Sequence, residues 1–273
     1  MGTCALCKGD SELQKSHIIP KFVFKWLKDT SATGLMRQAV NPQKPIQDGE
    51  TKRMLCKECE KKFSKFETSF ANNIFYPYQK EKTINFQIDK NIINFAISIS
   101  WRIASKSLSG FKEFQPSMFP HLENAINYWN TILNEGKEDE YFEHHILFLD
   151  ILNQPHGNLE KFNFYMLRCI DSTIVADSNE VFCFTKFPGM FIISLIYPNK
   201  NIENKNTKLS MGENIIGPQT YVHAHFDEFL QHRVQEAFKH KLSDRQQQKL
   251  TERILKNKER ALSSESFRVK FNN

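Results

Sequence analysis

Two Cys-x-x-Cys pairs constrain this chain more than any other feature: Cys4-Ala5-Leu6-Cys7 near its start and Cys56-Lys57-Glu58-Cys59 downstream. Each pair places two sulfurs on one side of a turn, where backbone N–H groups can point at them and offset their charge. Four sulfurs in two such pairs suit a tetrahedral, thiophilic cation, and zinc fits that description better than the harder ions. The alternative is four reduced thiols in a core. It sits poorly with the Lys, Glu and Asp residues around them. The 48 residues between Cys7 and Cys56 exceed the gap of most compact ribbons. The pairs are therefore expected on separate elements that the ion brings together.

Local signals around the pairs are consistent with that. Lys8-Gly9-Asp10 is a turn signal and suits a short hairpin carrying the first pair. Leu13 to Pro20 reads as extended chain. Phe22, Val23, Trp26 and Leu27 fall at i, i+1, i+4 and i+5, so a helix is expected to start just after Pro20. Residues 30–53 contain Gly34, Pro42, Pro45 and Gly49 and read as a loop with at most short strands. From Lys57 to Asn73 there is no Gly or Pro. Phe63, Phe66, Phe70 and Ile74 recur there at three- and four-residue steps, which predicts a helix with a core-facing stripe. Its first turn holds the second pair. Hairpin, extended segment, loop and helix follow one another in the order of a treble-clef zinc fold.

Cys4-x-x-Cys7, Ser16-His17-Ile18-Ile19-Pro20 and Leu55-Cys56-x-x-Cys59-Glu60 together make residues 1–78 similar to a known group. The segment resembles the HNH endonucleases of the His-Me (ββα-metal) group that carry a structural zinc on two Cys-x-x-Cys pairs. The resemblance implies hydrolysis of nucleic-acid phosphodiester bonds, with His17 as general base and a Mg²⁺ or Mn²⁺ ion at the site. It also suggests an association with bacterial, including antiviral, defence. The family has Asp or His before the base, and this chain has Ser16. The family has His or Asn after the last Cys, and this chain has Glu60. The family's Asn ahead of the third Cys is not found; Thr51 stands near that place, with Asp48 and Glu50 close by. Glu60 is thus a candidate catalytic group and, with Asp48, a candidate ligand for the divalent ion, Glu67 being a weaker one. Lys57, Lys61 and Lys62 are candidates for holding phosphates.

Each of these residues also has a plainer reading. His17 can complete the zinc shell or cap a loop. Glu60 is a favourable anion at a helix N-terminus, and the lysines can be a solvated face. The changes at Ser16 and Glu60 leave a second function open, a catalytically inactive zinc-stabilised module that binds nucleic acid or a protein.

Beyond residue 78 the chain changes character. Residues 79–273 are expected to form a larger α+β domain, with helices over 90–135, a mainly antiparallel sheet over 146–226 and basic helices over 227–262. The near-continuous apolar run Ile92–Ala104 predicts a buried helix, and His121–Glu135 a second. Phe111–Pro120 reads as a loop. Strands are expected at Ile146–Leu152, Phe162–Ile170, Ser172–Ala176, Val181–Phe187, Met190–Tyr197 and Thr220–Phe226, with breakers between them. His144 and His145 should point to opposite faces. His223 and His225 should share one face and, with Asp227, make a second candidate group.

The net charge of +6 is uneven: +5 over residues 1–78, −5 over 79–238 and +6 over 239–273. Basic ends fit a polyanionic partner, with DNA expected before RNA. The middle region is a candidate surface for a protein partner. With 40% hydrophobic and 25% charged residues, the chain has an ordinary globular composition. The cysteines show no secreted disulfide framework, and neither a signal peptide nor a membrane span is visible. A cytoplasmic location is therefore expected.

Overall fold

The computed structural model describes residues 1–150, 159–201, 203–223 and 225–271. Its first unit is a knuckle. Strands β1 (Gly2–Thr3) and β2 (Asp10–Ser11) pair antiparallel around the first Cys pair. The turn closes with the Cys4 N–H donating to the Gly9 carbonyl and with Lys8 at φ 62°. Strand β3 (Leu13–His17) follows, then helix α1 (Lys21–Asp29), which buries Val23, Phe24 and Leu27 and begins directly after Pro20. Residues 30–50 hold only the two-residue strands β4 (Met36–Arg37) and β5 (Pro45–Ile46). Strand β6 (Thr51–Cys56) returns antiparallel to β3, from Leu13 opposite Cys56 to His17 opposite Thr51. The chain passes straight into helix α2 (Lys57–Phe70), whose buried stripe is Cys59, Phe63, Phe66 and Phe70. A π-helical turn over Ala71–Phe75 leads to α3 (Tyr76–Glu81).

The rest is organised by one long helix and one sheet. After β7 (Asn85–Gln87), α4 (Lys90–Phe114) starts with the Asp89 side chain accepting from the Ile92 N–H. Every residue from Asn94 to Ala104 is buried, as the apolar sequence of this run requires. Helix α5 (Phe119–Glu135) packs on it and stops at Gly136, where φ is 69° and a Cβ would be strained. Strand β8 (His144–Phe148), helix α6 (Leu159–Arg168) and strands β9 (Asp171–Ala176), β10 (Val181–Phe187) and β11 (Met190–Tyr197) come next. The strands form a four-stranded antiparallel sheet in the order β8-β11-β10-β9. Strand β12 (Asn214–Ile216) pairs with β7, and helices α7 (Phe226–Ala237), α8 (Asp244–Lys256), α9 (Lys258–Leu262) and α10 (Glu265–Phe271) end the chain.

Both faces of the sheet are covered, so β10 is buried at every residue. That is why its sequence reads as a continuous apolar run instead of alternating. Cys183, Phe187, Ile192 and Ile196 join the core shared with α2, α4 and α5, whereas Phe182, Phe184, Phe191 and Ile193 pack with α6, α7 and α10. The first core is continuous across residue 78. Phe70 stacks on Phe95 with ring centroids 4.0 Å apart, and Phe22, Phe75 and Phe187 surround them. The protein is thus a mixed helix-and-sheet structure with antiparallel pairing throughout the described residues.

Several local expectations are corrected. Phe162–Ile170 lies largely in helix α6, not a strand. Its Phe and Tyr residues favour strands, but Lys161, Met166, Leu167 and Arg168 favour a helix, and packing one side on β10 decides the matter. Thr220–Phe226 is not a strand: Thr220 makes one bridge to Lys205, His225 turns at φ 60°, and Phe226 opens α7. The loop expected over Phe111–Pro120 shrinks, since α4 continues to Phe114 and α5 starts at Phe119 with Pro120 in its first turn. The strand expected at Ile146–Leu152 begins earlier, at His144, and its last two residues lie outside the described residues.

Because Phe95 packs against residues from both sides of position 78, Phe95→Ala should cost about 3–5 kcal/mol. In urea titrations of the zinc-loaded protein, zinc release and loss of tryptophan fluorescence should then shift together to lower denaturant.

Candidate metal centre and the residues beside it

The knuckle and the start of α2 bring Cys4, Cys7, Cys56 and Cys59 together, with all four sulfurs within 4.8 Å of one another. Cys7 Sγ and Cys56 Sγ are 3.8 Å apart. Tetrahedral zinc with Zn–S bonds of about 2.3 Å requires sulfurs separated by about 3.8 Å. The Cys56 N–H donates to Cys4 Sγ at 3.3 Å, and the Cys59 N–H to Cys56 Sγ at 3.5 Å. Burial raises the Cys4 thiol, yet the N–H groups of Cys56 and Cys7 outweigh it and bring the thiol down to about 7. Burial and the neighbouring sulfurs push Cys59 up. Four sulfurs this close cannot all ionise without a cation between them. The donor set therefore fits a thiophilic metal such as zinc, bound with release of protons. All six cysteines are free thiols.

Next to the sulfurs, the pleat of β3 separates Ser16 from His17. Ser16 is fully buried, and its hydroxyl donates to Glu60 Oε2 at 2.6 Å, tying β3 to the first turn of α2. His17 closes the strand and turns toward the 48–50 loop. Its Nε2 lies 3.0 Å from Asp48 Oδ2, though the N–H is out of line for a hydrogen bond, so the contact is electrostatic. Burial disfavours the Asp48 charge, but the Gly49 N–H and the adjacent His17 hold its carboxyl below the usual range. The loop itself depends on Gly49. A Cβ there would sit 2.2–3.0 Å from ring atoms of Phe24 on α1, closer than any side chain tolerates.

The other predicted residues are placed as follows. Lys57 and Lys61 are exposed on α2. Lys62 donates to the Leu133 and Asn134 carbonyls at 3.1 and 3.3 Å, so it is spent on the end of α5. Glu67 accepts from Arg102 Nη1 at 2.8 Å. Among the described residues, the four cysteines are the only group of three or more His, Cys, Asp and Glu side chains close enough to share an ion. His17, Asp48 and Glu60 do not gather into such a group.

His144 and His145 do face opposite ways. His144 bonds to Ser194 and Asp139, and His145 to Thr207. The expected His223–His225 pairing is overturned by the turn at His225. His223 contacts Glu180 at 2.6 Å, while His225 contacts Glu228 on the surface.

Sequence reasoning missed Arg102 and Lys106 on α4. Arg102 Nη1 also donates to the His17 carbonyl at 2.7 Å, and Lys106 is ion-paired with Glu50. The available signal was a lone Arg in the otherwise apolar run 92–104.

No known protein family, curated protein or solved structure matches this chain. Among the described residues, no helix is long and apolar enough to cross a membrane.

Two outcomes follow from these sites. Protein purified without chelator should hold one zinc per chain, and Cys59→Ser should lower that stoichiometry and the melting temperature together, by metal analysis and calorimetry. His145 is a separate case. Burial outweighs the attraction of Glu143, 3.5 Å away, and lowers its imidazole to about 4. The unfolded chain then binds a proton that the folded one refuses as pH falls from about 6.5 to about 4. Stability should drop across that window by up to about 1.4 kcal/mol per pH unit from this group, and His145→Gln should flatten the drop in urea titrations.

Proposed function

We propose that the amino-terminal unit is an HNH-type endonuclease, a treble-clef zinc scaffold that hydrolyses nucleic-acid phosphodiester bonds, DNA before RNA, in bacterial defence. The single observation that supports this is the His17–Asp48 contact at the end of the β3–β6 ladder, on a strand–strand–helix unit that carries the cysteine cluster. A carboxylate beside Nε2 favours the tautomer protonated there and leaves Nδ1 as the base. Nδ1 has no hydrogen-bond partner among the described residues. His17 takes a proton from water as the water attacks phosphorus, and Asp48 stabilises the imidazolium that forms. Glu60, held by Ser16, is a further carboxylate on the α2 side of the strand. Lys57 and Lys61, exposed on α2, would meet backbone phosphates. Residues 79–273 would select the substrate or dock a protein partner.

A second reading is favoured by one specific observation. The Ser16–Glu60 hydrogen bond occupies the two positions that the HNH resemblance assigns to metal ligands. On that reading the unit is an inactive zinc-stabilised module that grips nucleic acid through its basic ends.

The test is cleavage of plasmid DNA and of a mixed RNA pool with Mg²⁺ or Mn²⁺ added. Wild type should cut, and zinc-loaded His17→Ala should be slower by about 10²–10⁴-fold. If both fail to cut yet bind with an affinity that falls steeply with salt, the nuclease reading is lost and the binding module remains.

A further inference from the structure

Helix α4 reaches the His17–Asp48 pair from outside residues 1–78. Arg102 is almost wholly buried, at 1% exposure. Its Nη1 donates both to the His17 carbonyl, at 2.7 Å, and to Glu67 Oε1, at 2.8 Å. Its Nε points back at the Ser98 carbonyl, and the guanidinium lies over the Phe63 ring. The β3–β6 ladder ends at the His17–Thr51 pair, so Arg102 takes over the His17 carbonyl where the sheet stops. One helical turn further along, Lys106 ion-pairs with Glu50, which follows Gly49 and whose carbonyl accepts from the Ile18 N–H. Two cations at i and i+4 on α4 therefore grip the backbone of His17 and the loop that carries Asp48.

Stability alone does not account for Arg102. A buried guanidinium is costly unless all its donors are met, and its Nη2 is buried with no partner among the described residues. A Met or Leu of similar volume would fill the same space without that penalty. What an apolar residue cannot do is fix the His17 carbonyl against α2.

We propose that Arg102 and Lys106 are positioning residues that set the His17 imidazole against Asp48, so that the site formed by residues 1–78 works only when docked on α4. The inference rests on the reading of His17 as the base. Loss of such a positioning contact typically costs 10–100-fold in activity, and a displacement of about 1 Å can cost 10²-fold.

The experiment uses the full, zinc-loaded chain as wild type, Arg102→Lys, Arg102→Met and Lys106→Met. Zinc content and circular dichroism are checked first. Histidine is ¹⁵N-labelled, and the His17 signals among the nine histidines are assigned with His17→Gln. Arg102→Lys should keep its zinc, shift the His17 ring signals while leaving His144 and His145 in place, and lower kcat about 10–100-fold with KM nearly unchanged. Arg102→Met should do more of the same. Lys106→Met, at a half-exposed pair that does not threaten folding, should move the same signals less. The proposal is overturned if the His17 signals stay put in Arg102→Lys and Lys106→Met. It is also overturned if Arg102→Lys acts only by losing zinc or by shifting all the histidines while Lys106→Met changes nothing. If the His17 signals move but wild type never cuts, the positioning role stands and the nuclease falls. If wild type cuts through His17 and both variants match it, the nuclease stands and the positioning role falls.

Discussion

Four sulfurs within 4.8 Å of one another are the constraint on which residues 1–60 turn. Brought together as thiolates they repel; as thiols they leave polar hydrogens crowded beside Leu6 and Leu55, which are fully buried. A bound cation would resolve the conflict and tie the knuckle to the junction of β6 and α2. That junction fixes where β6 ends, and the β3–β6 register then fixes where His17 emerges. Nothing else in residues 1–60 has comparable reach. Strands β1 and β2 are two residues each, and β3 and β6 form only a two-stranded ladder, which is marginal in water without further support. The packing of α2 supplies that support, and a metal on the four sulfurs would add to it. Asn134 on α5 also donates to the Leu6 carbonyl inside the knuckle, so the metal loop is held from the far side as well.

The sheet and α4 settle the rest of the architecture through burial. An antiparallel sheet covered on both faces needs two apolar layers, and the chain provides them from different directions. Helix α4 covers one face, and α6 and α7 the other. Two buried cations inside these layers are met by helix-end carbonyls. Lys186, wholly buried, donates to the Met166 and Cys169 carbonyls at the end of α6, where a cation suits the exposed carbonyls. Arg168 does the same for the end of α1 through the Leu27 carbonyl and the Thr30 hydroxyl. Buried cations at helix C-termini thus join the amino-terminal segment, the sheet and the outer helices into one packed body.

What was legible in the sequence follows the range of the interactions involved. The cysteine pairs, the Phe63–Phe66–Phe70 stripe and the boundaries of β10 and β11 are local patterns, and each appears where its pattern predicts. Helix α6 was hidden because Phe162, Phe164 and Tyr165 carry strand propensity, and only contact with β10 and α7 selects the helix. His225 turns left-handed, which no local pattern announced. Asp48 was named for the same site as His17, but their direct contact was not legible, since 30 residues lie between them and the loop's path depends on Gly49 lying against Phe24. Arg102 lay farther still, in a helix whose composition marked it as core and nothing more.

The pleat of β3 gives the candidate site its logic. Consecutive residues on a strand face opposite ways, so Ser16 and His17 cannot share a partner. Ser16 turns inward to Glu60 and is sealed from solvent. His17 turns outward to Asp48 and keeps about a fifth of its side chain exposed. A carboxylate held by a buried hydroxyl orders the helix start, whereas Asp48 lies beside a partly exposed imidazole. The two acidic residues singled out for the same ion therefore have different surroundings and different physical tasks. The Ser16–Glu60 side holds the strand against α2, and the His17–Asp48 side faces the 48–50 loop.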